Sequence, residues 1–275
     1  MAYDTLGKGA LNYQPCRYGT SKFLFRGPRK TLTAPYIAVL GGTETYGKYV
    51  QHPYPDLLQL ELGMQAVNFG CPNIGVDAFV HDSGLLALAN AARVTVLQVP
   101  GAQNMSNRFY AVHPRRNDRF VRASALLKDL YPDVDFTQFN FTRHLLSVLQ
   151  NQSAERFEGV VDELRTAWVA RMKLLISKLD GDIVLLWLAD HRIQDGAAAG
   201  IHGSDPLFVT GKMMQQITPF VRALIEVVPT LQEQSVGRER LVCPDMEHPA
   251  TRDMLGTIAH QKASRALSGA IYRLL

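Results

Sequence analysis

Cysteine is scarce in this sequence: three residues in 275, Cys16, Cys71 and Cys243, far apart and odd in number. No CxxC pair and no Cys/His cluster at metal-ligand spacing occurs, which argues against a disulfide framework and a zinc site. The expectation is idle free thiols, no metal and no cofactor. Long apolar runs are also missing. Nothing approaches the ~20 residues that span a bilayer, and the start, MAYDTLGKGALNYQPC, lacks the basic and apolar regions of a secretory signal. These absences predict a cytoplasmic protein with no membrane span. Charge of one sign is not concentrated either. Lys and Arg number 29 against 25 Asp and Glu, a formal net charge of +4, and the basic residues are scattered, so no nucleic-acid partner is expected. Repeats, low-complexity tracts and linkers are absent. That predicts one domain over residues 36–275, preceded by an extension or flap over residues 1–35 that is rich in Gly, Pro, Tyr and Arg and has room for a short hairpin in CRYGTSKFLFRGPRK.

Hydrophobic residues, 47% of the chain, suffice for a large core. YIAVLGG, QAVNFG, VTVLQVPG and GDIVLLWLAD are short apolar runs, three of them closed by glycine, as buried parallel strands are. Between them PDLLQLELG and DSGLLALANAAR read as helices, the second with an N-capping pair. NDRFVRASALLKDLYP and FTQFNFTRHLLSVLQ carry helical spacing, and Phe157, Val160, Leu164, Trp168, Met172, Leu175 and Leu179 form one stripe of a long helix. A helix from about Lys212 to Val228, a last strand in RLVCPDMEHP and an amphipathic helix from Thr251 complete the pattern. Strand and helix alternation predicts an α/β fold with a mostly parallel sheet covered on both faces. Ligands of such sheets bind beyond the carboxyl ends of the strands.

The turn after the first strand, GGTETYG, has three readings. As a phosphate loop it fails, because Tyr49 stands where GxxxxGK[ST] needs a hydroxyl, GxGxxG spacing is absent, and Glu44 would repel phosphate. As a plain strand-to-helix turn it is satisfied by its glycines with Thr43 as cap. As a nucleophile loop it needs a partner, and CPDMEHPAT supplies one near the other end of the chain. There Asp245 and His248 are spaced so that the carboxylate can orient the imidazole, leaving Nε2 to accept a proton from a hydroxyl.

Taken together, GGTETYG, VNFGCPNIG, PGAQN and DMEHP resemble the blocks of the SGNH (GDSL-type) hydrolase superfamily. The resemblance covers about residue 36 to the C-terminus and implies a flavodoxin-like three-layer α/β/α sandwich with ester hydrolase or acyltransferase chemistry. It places Thr43 at the serine position and Gly42 at the aspartate position of GDSxxxG, and His248 and Asp245 in DxxH as base and orienter. Gly70 and Asn73 fall in the oxyanion loop of the second block, and Gln103 or Asn104 takes the amide donor role of the third. The implied substrate is a small or carbohydrate-like acyl compound. Homo-oligomerisation is left open. Threonine for serine leaves two outcomes, a working replacement or lost chemistry, so a non-catalytic binding protein on the same fold stays in view. So does a group-transfer enzyme for an anionic donor, with Arg115 and Arg116 as the anion clamp. His191, Arg192 and His202 follow the strongest strand and complete the candidates near the rim, without metal-site spacing.

Overall fold

The computed structural model describes residues 9–194 and 203–275. The chain enters the sheet with β1 (Tyr36–Gly41) and turns through α1 (Thr43–Tyr46) and α2 (Tyr54–Leu62) to β2 (Gln65–Gly70). Helices α3 (Val76–His81) and α4 (Ser83–Asn90) lead to β3 (Val94–Gln98). Then come the hairpin β4 (Tyr110–His113) and β5 (Arg116–Ala123), followed by α5 (Ala125–Leu130), α6 (Thr142–Gln152) and α7 (Ala154–Ser177). Finally β6 (Asp182–Leu188), α8 (Gly211–Ile217), β7 (Ala223–Val227), α9 (Leu231–Arg238) and α10 (Thr257–Ile271) close the fold.

Five strands form one sheet in the order β2-β1-β3-β6-β7, and every pair in it is parallel. Counting only those strands, the order is 2-1-3-4-5, the flavodoxin-like arrangement with its switch point between the first and third strands. Period-two alternation divides the core. Ile37, Val39, Val96, Val184 and Leu186 face one side with Leu58 of α2 and Ala263 and Leu267 of α10. Ala38, Leu40, Phe69, Leu97, Leu185 and Trp187 face the other, against Phe79, Leu85, Trp168 and Met172. The result is a three-layer α/β/α sandwich. The stripe read along α7 is buried throughout, and the Trp168 indole N–H donates to the Pro100 carbonyl at 2.9 Å, tying the helix to the loop after β3.

Two regions differ from the sequence reading. Residues 117–132, read as helical, are the strand β5 followed by the short helix α5. Asn117 and Phe120 are buried while Arg122 is exposed, so pairing with β4 overrides the helical spacing. The helix expected over 212–228 stops at Ile217, because Pro219 cannot continue it. ALIEV, with its β-branched residues, then becomes the edge strand β7. β7 is therefore the last strand, and RLVCPDMEHP holds no strand at all.

The segment before β1 packs against the sheet layer. Cys16 and Phe25 exchange backbone hydrogen bonds of 2.9 Å, and Phe25, fully buried, meets Phe69 edge to face at 5.2 Å between centroids. Arg26 follows and donates from Nη1 to the Gly47 carbonyl at 2.6 Å, clamping the far end of α1. All three cysteines are free thiols, and burial pushes the Cys71 thiol well up, away from reactivity. No helix among the described residues is long and apolar enough to cross a membrane. Because Phe25 belongs to the main core, Phe25→Ala is expected to lower unfolding stability by about 3–5 kcal/mol in urea denaturation. Met246→Ala, at a side chain 95% exposed, should fall within about 0.5 kcal/mol of the parent.

Candidate functional site

The carboxyl ends of β1, β3 and β6, together with the loop after β2, surround a cavity of about 740 Å³ at the switch point. Its walls include Thr43, Glu44, Asn73, Gln103, Asn104, Arg143, Asp190, Ser204, Asp205, Arg238, Arg252 and Asp253. The turn that carries Thr43 is pinned from the neighbouring strand. Oε1 of Gln98 accepts from the Gly42 N–H at 3.1 Å, the Thr45 N–H at 3.1 Å and the Thr45 hydroxyl at 2.6 Å.

Thr43 and Asn73 hold each other. The Asn73 N–H donates to Thr43 Oγ1 at 3.0 Å, and that hydroxyl donates to Asn73 Oδ1 at 3.2 Å. The Thr43 N–H has no hydrogen-bond partner among the described residues. Asn73 adopts φ +54°, a left-handed conformation that asparagine tolerates better than most side chains. Its neighbours keep it there. Asn104 Nδ2 donates to the Asn73 carbonyl at 3.0 Å, and Thr142 in turn donates to Asn104 Oδ1 at 2.7 Å. Gly75 lies so close to the Asn104 carbonyl that a Cβ would sit 1.6 Å from its oxygen, and its N–H is taken by buried Asn117 at 2.9 Å.

Of the residues expected from sequence, Thr43, Asn73, Asn104 and Gln103 come together in this cavity. The two candidate amides have different duties. Asn104 braces the Asn73 peptide, whereas Gln103 Nε2 donates to Asp205 Oδ1 at 2.8 Å. Arg143 reaches the same oxygen of Asp205 at 3.2 Å. Gly70 does not line the cavity. Its role is close approach, since a Cβ there would lie 2.3 Å from the Tyr46 nitrogen of α1, and its N–H donates to Asn68 Oδ1. Arg115 and Arg116 are exposed at the β4–β5 turn and are not among the residues lining the cavity.

Asp245 and His248 sit in an exposed 3-10 turn, Asp245–Thr251, and neither lines the cavity. No hydrogen bond or ion pair joins their side chains among the described residues, and the His248 carbonyl accepts from the Thr251 hydroxyl at 2.8 Å. Glu247 of the same turn accepts from the Tyr49 hydroxyl at 2.5 Å. The stretch just beyond, Arg252 to Leu255, does form cavity wall. Arg143, Arg238, Arg252 and Asp205, which line the cavity, were missed from sequence, as was Asp118, whose Oδ2 accepts from Asn73 Nδ2 at 3.4 Å. They belong to no block, and of the five only Arg238 and Arg252 flank DMEHP in the sequence.

On the far wall, Asp190 accepts from His191 Nδ1 at 2.8 Å and from the Ser204 hydroxyl. The His191 bond, aided by Ser204 and opposed by burial, holds the Asp190 carboxyl below its ordinary value. His202 lies outside the described residues. A carboxyl whose folded-state value is depressed stabilises the protein above the unfolded value and loses that contribution as pH falls through the folded one. The stability gap between the parent and Asp190→Asn is therefore expected to shrink as pH is lowered below the ordinary carboxyl value of 3.8, read by thermal unfolding from about pH 6 to 2. A gap that widens on acidification would contradict the assignment.

No protein of curated function matches the chain by sequence. Among solved structures, the chain is similar to an extracellular lipase from Streptomyces rimosus, with TM-score 0.44, 11% identity, and coverage of 88% of this chain and 100% of the lipase. A gut microbial diltiazem-metabolizing enzyme gives TM-score 0.41 and 9% identity over 86% of this chain and 46% of that one. A protein described as a GDSL-like lipase, from Parabacteroides merdae, gives TM-score 0.39 and 14% identity over 86% of this chain and 96% of its own. At family level the match spans residues 1–275, and the chain belongs to the family described as Domain of unknown function (DUF6473).

Proposed function

We propose that this protein is an ester hydrolase or acyltransferase acting in the switch-point cavity, with Thr43 as nucleophile. The observation that carries the reading is the convergence of Thr43, Asn73 and Asn104, from three separate sequence blocks, on one cavity wall. Thr43 Oγ1 attacks the acyl carbonyl, forming the Oγ1–C bond. His248, oriented by Asp245, takes the hydroxyl proton and passes it to the leaving alcohol as the C–O bond breaks. Water or an acceptor hydroxyl then attacks the acyl-threonine and gives its proton to His248, which returns it to Thr43 Oγ1 as the Oγ1–C bond breaks and the acid or new ester leaves. The Thr43 N–H and the Asn73 N–H, released from Thr43 Oγ1 as that oxygen attacks, stabilise the oxyanion, a contribution typically worth ~10²–10³ in rate per donor. For this the Asp245–Thr251 turn must fold inward onto the cavity, whose wall its neighbours Arg252 and Asp253 already form.

A second reading has its own support. With the Thr43 hydroxyl engaged by Asn73 and His248 exposed outside the cavity, the same site serves a binding protein for a small polar ligand without turnover. Hydrolysis of short aryl esters separates the two. The hydrolase reading expects Thr43→Ala and His248→Ala to lose about a thousandfold or more in kcat/KM, with Thr43→Ser retaining activity. Equal rates in all the proteins, or no turnover by the parent, would leave the binding reading standing.

A further inference from the structure

Behind the cavity lies a pair of ionisable side chains that the chemistry above does not use. His260 of α10 is completely buried. Its Nδ1 accepts the Tyr54 N–H at 3.1 Å, and its ring stacks on Tyr54 with centroids 6.0 Å apart. A backbone N–H can only donate, so Nδ1 carries no proton and the ring N–H is Nε2. That nitrogen lies 3.3 Å from Oε2 of Glu44. The contact is not aligned as a hydrogen bond, and neither atom has another partner among the described residues. Buried polar atoms are seldom left in this state without a reason.

Glu44 follows Thr43 directly and lines the cavity, with 15% of its side chain exposed. Oε2 is turned inward onto His260, so Oε1 is the oxygen on the cavity side. Its one donor among the described residues is the Leu255 N–H at 3.4 Å, a long bond that leaves acceptor capacity. We propose that Glu44 is a ligand-contacting residue that selects compounds presenting a hydroxyl donor, and that His260 is the positioning residue that sets its carboxylate. Arg238 and Arg252 share the cavity wall with Asp190, Asp205 and Asp253, so its charge is mixed and does not by itself call for a cation. The inference rests on the cavity being a binding site, as both readings above require, and not on Thr43 being a nucleophile.

The pair makes an unusual demand on substitutions. In Glu44→Gln the amide oxygen is taken by the His260 N–H, which turns the NH₂ toward the cavity and replaces an acceptor by a donor. In His260→Asn the side chain still accepts the Tyr54 N–H but no longer reaches Glu44. In His260→Gln the amide nitrogen extends to the place of Nε2 and keeps a donor there.

Calorimetric titration in the Thr43→Ala background reads binding without turnover. The probes are methyl 6-O-acetylglucoside and its 2,3,4-tri-O-methyl counterpart, which lacks hydroxyl donors. The hydroxylated probe is expected to bind about tenfold more tightly than the methylated one, the order of a charge-assisted hydrogen bond. Glu44→Gln and His260→Asn should abolish that preference and His260→Gln should retain it, with unfolding midpoints recorded to verify that each variant is folded. An undiminished preference in Glu44→Gln, or no binding of the hydroxylated probe, overturns the proposal. Aryl ester turnover by the parent bears on the hydrolase reading alone.

Discussion

A single side-chain oxygen, Oε1 of Gln98, holds the whole arrangement in register. It sits at the end of β3 and receives three donors from the turn after β1, two backbone N–H groups and the Thr45 hydroxyl. Thr45 is also within 2.7 Å of the Tyr54 hydroxyl at the start of α2. The turn is therefore fixed from both sides, by the neighbouring strand and by the helix that leaves it. Arg26 adds a third anchor from the N-terminal segment. Thr43 and Glu44 project from a turn that has little freedom to move, which is the condition for presenting reactive or recognising groups reproducibly.

Around that turn the molecule changes character. The two faces of the sheet are dry, with Val, Ile, Leu, Phe and Trp side chains close-packed against α2, α7 and α10. The carboxyl ends of the same strands gather Asn, Gln, Asp and Arg side chains, many of them bonded to one another and several buried. Polar groups are costly to bury unless each is matched, and the matching here is dense: Asn117 serves Gly75, Asn104 serves Asn73, and Asp205 serves Gln103 and Arg143. Of the four buried side-chain atoms without a hydrogen-bond partner among the described residues, Glu44 Oε2, His260 Nε2 and Gln103 Oε1 fall at the cavity or directly behind it, whereas Asp77 Oδ1, ion-paired with Arg171 at 2.9 Å, does not line it. Three of the four unmatched atoms thus gather in one place, the pattern expected where local rules yield to a site.

The layered fold was legible because its signals are local. Short apolar runs, three of them closed by glycine, became β1, β2, β3 and β6, and a stripe at helical spacing became α7. Legibility failed where distant partners decide. β5 looks helical until β4 is there to pair with it, and ALIEV is a strand because Pro219 stops the preceding helix and β6 offers an open edge. The site divides in the same way. Thr43, Asn73 and Asn104 follow directly from strand ends, whose positions the sheet dictates. Asp245 and His248 lie in a turn whose placement depends on Tyr49, 198 positions from Glu247, and no local pattern reveals that contact. His260 was invisible for another reason: in an amphipathic helix a lone histidine looks like any other polar residue until Tyr54 and Glu44 are found on either side of it.

The chemistry proposed for this cavity depends on the reactivity of one hydroxyl. A fluorophosphonate bonds to an activated hydroxyl oxygen with loss of fluoride, and peptide mapping by mass spectrometry then locates the adduct. A single adduct on Thr43, absent from the Thr43→Ala protein, is expected. A protein that stays unlabelled, or one labelled at Ser204 across the cavity, would contradict it.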